Sequence, residues 1–390
     1  MEILRETLMI SNSIIALRKE FHKYPELGME EYRTSKRIKE ELDKIGVTYE
    51  EGVKTEVVAT IGKANGRVIA LRADMDALKI QENTGARYAS ETPGIMHACG
   101  HDAHMASLLG AAMILKKHED ILPGKVVLIF QPSEENSYGA RFICEHGYLD
   151  NVEEIFGLHV FGDMECGKIS IEEGPRMAAS NKFSIKINGK SGHAGKPHQC
   201  IDATVICAAI VMNLQSIVSR EMDPINSAVV SIGHIKSGET HNIISGEAII
   251  EGTIRSFNAT TTKHIQGSIR RIVYSTAIAY GATASVDYDL THHPAVINDS
   301  DVVKTVLKGA RKIFNEESLI KVPRMMLGED FAIYQKRIPG AFAFVGAGNE
   351  EIGRDYPNHS DKFDIDEKAI IISTELYVSY ALEALSKERK

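Results

Sequence analysis

Four stretches of this chain, 66–73 (GRVIALRA), 124–130 (GKVVLIF), 155–160 (IFGLHV) and 341–345 (AFAFV), are apolar without the alternation of a half-exposed strand. Runs with helical spacing stand around them, at 11–22, 29–45, 103–118 and 366–386. In the run 29–45, which follows a break at Tyr24-Pro25, the residues Tyr32, Ile38 and Leu42 are expected on the inward face. Strands apolar on both sides must be covered on both sides, so the pattern predicts an α/β fold with a mostly parallel sheet covered by helices. Such sheets bind ligands beyond the carboxyl ends of their strands. Each predicted strand carries a candidate cation ligand at or just past that end: Asp74, the pair Glu134-Glu135, His159 and, after a Gly-rich loop, His359. Polar residues scattered at random would not collect along one edge.

The segment 181–290 interrupts this pattern. Residues 182–187 alternate polar and apolar, then come a predicted helix at 201–219, strands at 227–236 and 246–255, a helix at 260–280 and a strand at 282–289. That β-α-β-β-α-β order is the ferredoxin-like α+β motif, of a size to be an inserted lid or dimerisation domain. The organisation expected is a catalytic domain in two parts, 1–180 and 291–390, with the small domain 181–290 between them. At 390 residues the chain is long enough for both cores.

Charge and cysteine usage narrow the partners. A net charge of −8 gives no electrostatic reason to bind nucleic acid or an anionic membrane. The five cysteines are odd in number and lack a CxxC pair, which argues against a disulfide framework and for a reducing, cytoplasmic setting. Charged Glu2, Arg5 and Glu6 stand where a secretory signal needs an apolar core, and no uncharged apolar run is expected to span a membrane.

The chemistry concentrates in 96–104 (MHACGHDAH), where a thiol, three imidazoles and a carboxylate precede a predicted helix. Thiolate and imidazole together suit zinc and its neighbours. A buried Cys beside histidines is also ordinary core, and His22, His97, His104 and His118 are read that way. Cys99 has a second rival reading as a catalytic nucleophile. Converging carboxylates would raise a thiol's pKa and favour a cation instead. Neighbouring side chains on extended backbone point apart, so of Glu134 and Glu135 one can ligate while the other handles a water proton. A cation that brings the pKa of water from 15.7 to about 7 is the larger effect, and a positioned base adds ~10²–10⁴-fold. In the small domain His193 lies in the loop SGHAG, exposed enough for its imidazole to reach a neighbouring site. Asn242, in a loop, and Arg255, ending a strand, carry donors that can clamp a substrate carboxylate. Two apparent motifs fail: Gly189-Lys190-Ser191 lacks the upstream glycine of a phosphate loop, and Gly346-Ala347-Gly348 lacks the third glycine of a dinucleotide fingerprint.

Assembled, these segments resemble the dinuclear-metal aminoacylase and carboxypeptidase family, with metal-dependent exopeptidase architecture. The resemblance is to the branch of hippurate hydrolases, N-acyl-amino-acid amidohydrolases, auxin-conjugate hydrolases and N-acetyldiaminopimelate deacetylases. It spans HKYPELGMEE, LRADMDAL, GIMHACGHDAH, FQPSEEN, GLHV, GKSGHAGKPH, GTIRSF, GEDF and NHSDKFDIDE. It implies two divalent metal ions (Zn, Mn, Co or Ni) held by Cys99 as a bridge, His101, Glu135, His159 and His359. It implies Glu134 as general base, His193 as the oxyanion donor in its own or a neighbouring subunit's site, Asn242 and Arg255 on the substrate, and Asp74 behind the ligands. The implied activity is hydrolysis of a small N-acyl amino acid, by a homodimer or tetramer formed through the small domain. A metallo-dipeptidase or carboxypeptidase and a non-catalytic binding relative are the alternatives. Lys79 and Ser245 stand where relatives usually place proline, both in loops that bear on substrate preference.

Overall fold

The computed structural model describes residues 2–63, 65–289 and 293–387. The chain divides into two compact units: Met1–Gly174 with Ile297–Pro323 and Asp330–Lys390, and Pro175–Val296 with Arg324–Glu329. The expected boundary at 290/291 lies outside the described residues.

The larger unit is built on a seven-stranded sheet. Its centre is parallel: Lys125–Gln131, Val68–Asp74, Glu154–Glu165 and Gly340–Gly348 lie side by side in that order. Antiparallel strands close both edges, with Val57–Gly62 and then Thr48–Glu50 on one side and Ile169–Ser170 on the other. The sheet is therefore mixed at its margins and parallel where the predicted strands sit. Alternate residues (Ile69, Leu71, Ala73; Val126, Leu128, Phe130; Phe156, Leu158, Val160; Ala341, Ala343, Val345) join one core cluster with residues of the helices Ile3–Lys23, His101–Lys117 and Lys368–Leu385. By the two-residue period of a strand, Arg72, Asp74, Gln131 and His159 belong to the other parity. Register aligns Asp74 with Gln131 and Arg72 with Gly157, so His159, two residues on, is level with Asp74.

Helix starts follow local chemistry. Asp299 caps Ser300–Ala310 by accepting from the N–H groups of Asp301 and Val302. Gly46, left-handed at φ 70°, ends Tyr32–Ile45. In that helix Ile38 and Leu42 are fully buried, but Tyr32 is 63% exposed; it is the first helical residue, one turn short of the core-facing stripe.

The smaller unit carries a four-stranded antiparallel sheet in the order Ala228–Ser237, Glu247–Ser256, Ala179–Asn188, Thr283–Tyr288, the ferredoxin-like arrangement. Phe183, Ile185, Ile187, Ile250 and Ile254 pack with Ile206 and Ile210 of Ala203–Leu214 and Ile265, Ile269 and Val273 of Ala259–Ala279. The helical segment Ala203–Glu221 is by length and composition apolar enough to cross a membrane, though it ends on the charged Arg220 and Glu221 and so is not an uncharged run. One face of it, at Ile206, Ile210, Leu214 and Ile217, is committed to this core.

Candidate metal centre

Gly100 sets the geometry at the start of the helix His101–Lys117. It is left-handed at φ 88°, and a Cβ there would lie 2.4 Å from Val160 Cγ2. Only glycine serves, and the turn brings Cys99 and His101 to the same side-chain cluster. Cys99 Sγ lies 3.3 Å from His159 Nε2. His159 Nδ1 bonds the Val160 carbonyl at 2.8 Å; a carbonyl only accepts, so Nδ1 carries the hydrogen and Nε2 presents a lone pair. His359 sits in left-handed backbone at φ 67°, its N–H on the Ala98 carbonyl at 2.7 Å and its Nε2 3.3 Å from Glu135 Oε1. Asn358 staples this loop down, donating to the Cys99 and Val160 carbonyls at 3.1 and 3.0 Å and accepting from Gly162 N–H at 3.2 Å.

The five expected ligands come together. Cys99, His101 and His159 form one group whose donor atoms lie within 4.8 Å of one another, and Cys99, Glu135 and His359 form a second. Cys99 is common to both. Glu134 joins His101 and Glu135 in a third.

The donor set fits divalent cations. His101 is fully buried with neither ring nitrogen hydrogen-bonded, and Glu135 Oε1, buried beside His359 Nε2, makes no hydrogen bond either. Buried polar atoms without hydrogen bonds, side by side, are what an ion between them would satisfy. Burial opposes a charge on His101, yet Asp74, Asp76 and Glu135 push its pKa up to about 10: the pocket calls for positive charge. Burial pushes Glu135 up, but His359 and His101 hold it below the usual carboxylate value. The Cys99 thiol is driven well above its ordinary range by burial and by Glu135, Glu134 and Asp74. A nucleophilic thiol needs the reverse shift, so the surroundings of Cys99 disfavour the thiol-nucleophile reading and suit a metal ligand.

Support for these groups comes from Asp76 and Glu31, to which the sequence assigned no role, and from Asp74, expected behind the ligands. Asp76 accepts from the N–H groups of Glu134 and Glu135 at 3.0 and 3.1 Å, one on each oxygen, and its Oδ1 lies 3.4 Å from His101 Nδ1. Glu31 accepts from Ser133 N–H at 2.9 Å and Thr55 hydroxyl at 2.6 Å, fixing the approach to that pair. Asp74 bonds Arg72 at 2.7 Å and His104 Nδ1 at 2.6 Å, and lies 3.7 Å from His101 Nε2. His104 accepts from Val160 N–H through Nε2 at 2.9 Å, so both its nitrogens are engaged within the protein. His22 is engaged by Asp102 and Glu82, and His118 by Glu6. His97 is buried without a hydrogen bond and pushed down to about 3 by burial, hence neutral.

His193, Asn242 and Arg255 belong to the smaller unit. The two-residue strand Gly192–His193 pairs with Ile243–Ile244, and Ala194 N–H donates to the Asn242 carbonyl at 3.1 Å, so His193 and Asn242 are neighbours. His193 is exposed; Gly195 N–H donates to its Nδ1 at 2.9 Å, which leaves the hydrogen on Nε2. Arg255 is half-buried and makes no ion pair among the described residues; burial lowers its pKa. It does not join the other two. Arg255 pairs with Ser180, eight positions along the strand from the Glu247–Asn188 end beyond which His193 and Asn242 lie, or about 27 Å. The expected clamp of Asn242 with Arg255 on one carboxylate is not formed within a single chain.

A structural zinc site uses all its acids and thiolates as ligands, whereas a metal-dependent hydrolase also keeps a carboxylate for the water proton. The donors beside the Glu134-Glu135 pair are of the second class, although His159 stands midway along Glu154–Glu165 and not at a strand end as expected, since that strand runs on past Val160. The chain belongs to peptidase family M20/M25/M40, which it matches over residues 70–383. It is 39% identical to thermostable carboxypeptidase 1 of Saccharolobus solfataricus over 386 residues, 98% of this chain and 97% of that protein. It is 39% identical to N-acetyl-L-cysteine deacetylase of Bacillus subtilis over 364 residues, 93% of this chain and 86% of the relative. The crystal structure of a dinuclear metal-binding M20 peptidase from Bacillus subtilis superposes with a TM-score of 0.86 at 34% identity, covering 97% of this chain and 99% of that one.

Proposed function

We propose that this chain hydrolyses the amide bond of small N-acyl amino acids, releasing a carboxylic acid and the free amino acid. The observation that carries the reading is the pair of donor groups sharing Cys99, with Glu134 beside them. Cys99, His101, Glu135, His159 and His359 would hold two divalent cations, which would supply Lewis acidity to the water and the acyl carbonyl. Zinc, manganese, cobalt or nickel all suit this mixture of sulphur, nitrogen and oxygen. Glu134 takes the proton of the attacking water and returns it to the departing amine nitrogen. His193, with its hydrogen on Nε2, donates to the developing oxyanion. Arg255 binds the substrate carboxylate, with Asn242 serving the site to which His193 belongs. A small substrate cannot span about 27 Å, so His193 and Arg255 of one chain serve different sites and each site draws on two copies.

A homo-oligomer built through the small unit has support in its surface. Val205, Ala208 and Met212 form an exposed apolar stripe at i, i+3 and i+7 on the outer side of Ala203–Leu214, and Ala228–Ser237 is an edge strand. The setting we infer is the cytoplasm. A carboxypeptidase or dipeptidase is the second reading, favoured by the named Saccharolobus relative. A metal-reconstituted screen decides between them: N-acetyl, N-benzoyl and longer-chain acyl amino acids are set against dipeptides, with free amino acid as the readout. Turnover of dipeptides alone overturns the first reading, and turnover of nothing favours a binding role.

A further inference from the structure

Behind Glu134 lies a polar network that the hydrolytic reading does not use. Arg72 and Asp330 are both 0% exposed. The Asp330 carboxylate accepts from Arg72 Nη2 at 3.0 Å, from Gln131 Nε2 at 2.9 Å on each oxygen, and from Ala140 N–H at 3.0 Å. Arg72 is held in turn by Asp74 at 2.7 Å and by Gln131 Oε1 at 2.9 Å, and that oxygen also accepts the Tyr334 hydroxyl at 2.7 Å. A bond leaves this network toward the pair of glutamates: the backbone N–H of Asp330 donates to Glu134 Oε1 at 3.2 Å.

We propose that Asp330 is a positioning residue for Glu134: its carboxylate pins the backbone at 330, and the N–H so fixed orients the carboxylate that receives the water proton. The proposal rests on the reading of Glu134 as the base. An N–H only donates, so Glu134 Oε1 accepts here and the bond fixes the orientation of the carboxylate. The O–H bond of water breaks, its proton bonds to the Glu134 carboxylate, and the electron pair stays on the attacking oxygen. Asp330 suits the task because its carboxylate accepts from Arg72, Gln131 and Ala140, two bonds on each oxygen. An amide in its place would turn an –NH₂ against Arg72 and Gln131 or against Ala140 N–H, whichever way it faced, and the backbone would move. Because Glu134 is held through a main-chain bond, a shift of residue 330 by a fraction of an ångström reaches the base directly.

The test is a double-mutant cycle on the metal-reconstituted full chain. Asp330→Asn is made alone and with Glu134→Gln, and kcat, KM, bound metal and thermal midpoint are read with the N-acyl amino acid turned over fastest. Alone, Asp330→Asn is expected to lower kcat about 10²-fold while KM and metal content stay within about twofold. In the Glu134→Gln background the same change should alter kcat by less than about twofold, because the group it positions is gone. Equal losses in both backgrounds, or a loss that arrives with departed metal, overturn the proposal. If Asp330→Asn does not fold, Gln131→Met goes through the same cycle. It removes the amide donors to Asp330 but keeps the Arg72–Asp330 ion pair, and a loss on the order of 10-fold is expected, again confined to chains with Glu134. Equal losses overturn it in the same way. The reading of Glu134 as base fails differently, since Glu134→Gln alone would then keep full turnover.

Discussion

Asp76 is not among the five expected ligands, yet it touches three groups at once: the backbone of Glu134, the backbone of Glu135 and Nδ1 of His101. Asparagine at 76 can accept on one oxygen only and sets its –NH₂ against the second N–H. Asp76→Asn is therefore expected to weaken metal binding by about 10- to 100-fold, measured by competition with a chelator. Glu134→Gln should behave oppositely, keeping its metals and losing turnover by at least about 10²-fold; undiminished activity would remove Glu134 from its role. The contrast between these residues is also a contrast in legibility. Cys99, His101, His159 and His359 stand out because few jobs call for thiol and imidazole together in segments next to buried strands. Asp76, Asp330 and Asn358 are ordinary polar residues whose roles are made by what folds next to them. Each stood inside a quoted segment (LRADMDAL, GEDF and NHSDKFDIDE) with nothing in its residue type to assign it a part.

Among the elements, those buried on both faces were readable and those at the margins were not. Lys125–Gln131 and Gly340–Gly348 announce themselves as unbroken apolar runs. The strand Val57–Gly62, one in from the edge, was missed; its VVATIG carries a threonine and pairs antiparallel, so it lacks the signature of a central parallel strand. Gly139–Glu145, at seven residues, is too short to display a helical period. The closing helix Lys368–Leu385 was anticipated, but not that it buries Glu375 with Oε1 unpartnered. Burial alone pushes that carboxyl up to about 7 from an ordinary value near 4.5. A carboxyl raised in the folded state gives stability that is fully present below about 4.5 and lost as pH climbs through about 7. Thermal melts between about pH 5 and pH 8 should accordingly fall less steeply for Glu375→Gln than for the parent, a difference of ~1–3 kcal/mol at the upper end. Parallel curves would mean that Glu375 stays ionised in the folded helix.

For the whole molecule, the two-unit organisation follows from a change of pattern that the chain announces at its strands, from unbroken apolar to alternating. What the sequence hid is which surfaces are left over once each core is filled. Met212 is 70% exposed on a helix whose opposite face is core. If that outer face joins copies, Met212→Asp should shift the native mass toward the 43.0 kDa of a single chain, read by light scattering. An unchanged mass would assign the stripe no part in assembly.

The separation of His193 from Arg255 along one sheet has a genetic corollary. Two alleles, one lacking the imidazole and the other the guanidinium, would each be silent by themselves. If each centre draws on two copies, their co-expressed products would reconstitute an intact centre wherever the lesions fell on opposite sides, so the pair would complement, and either allele beside a healthy one would lower yield only in proportion to gene dosage.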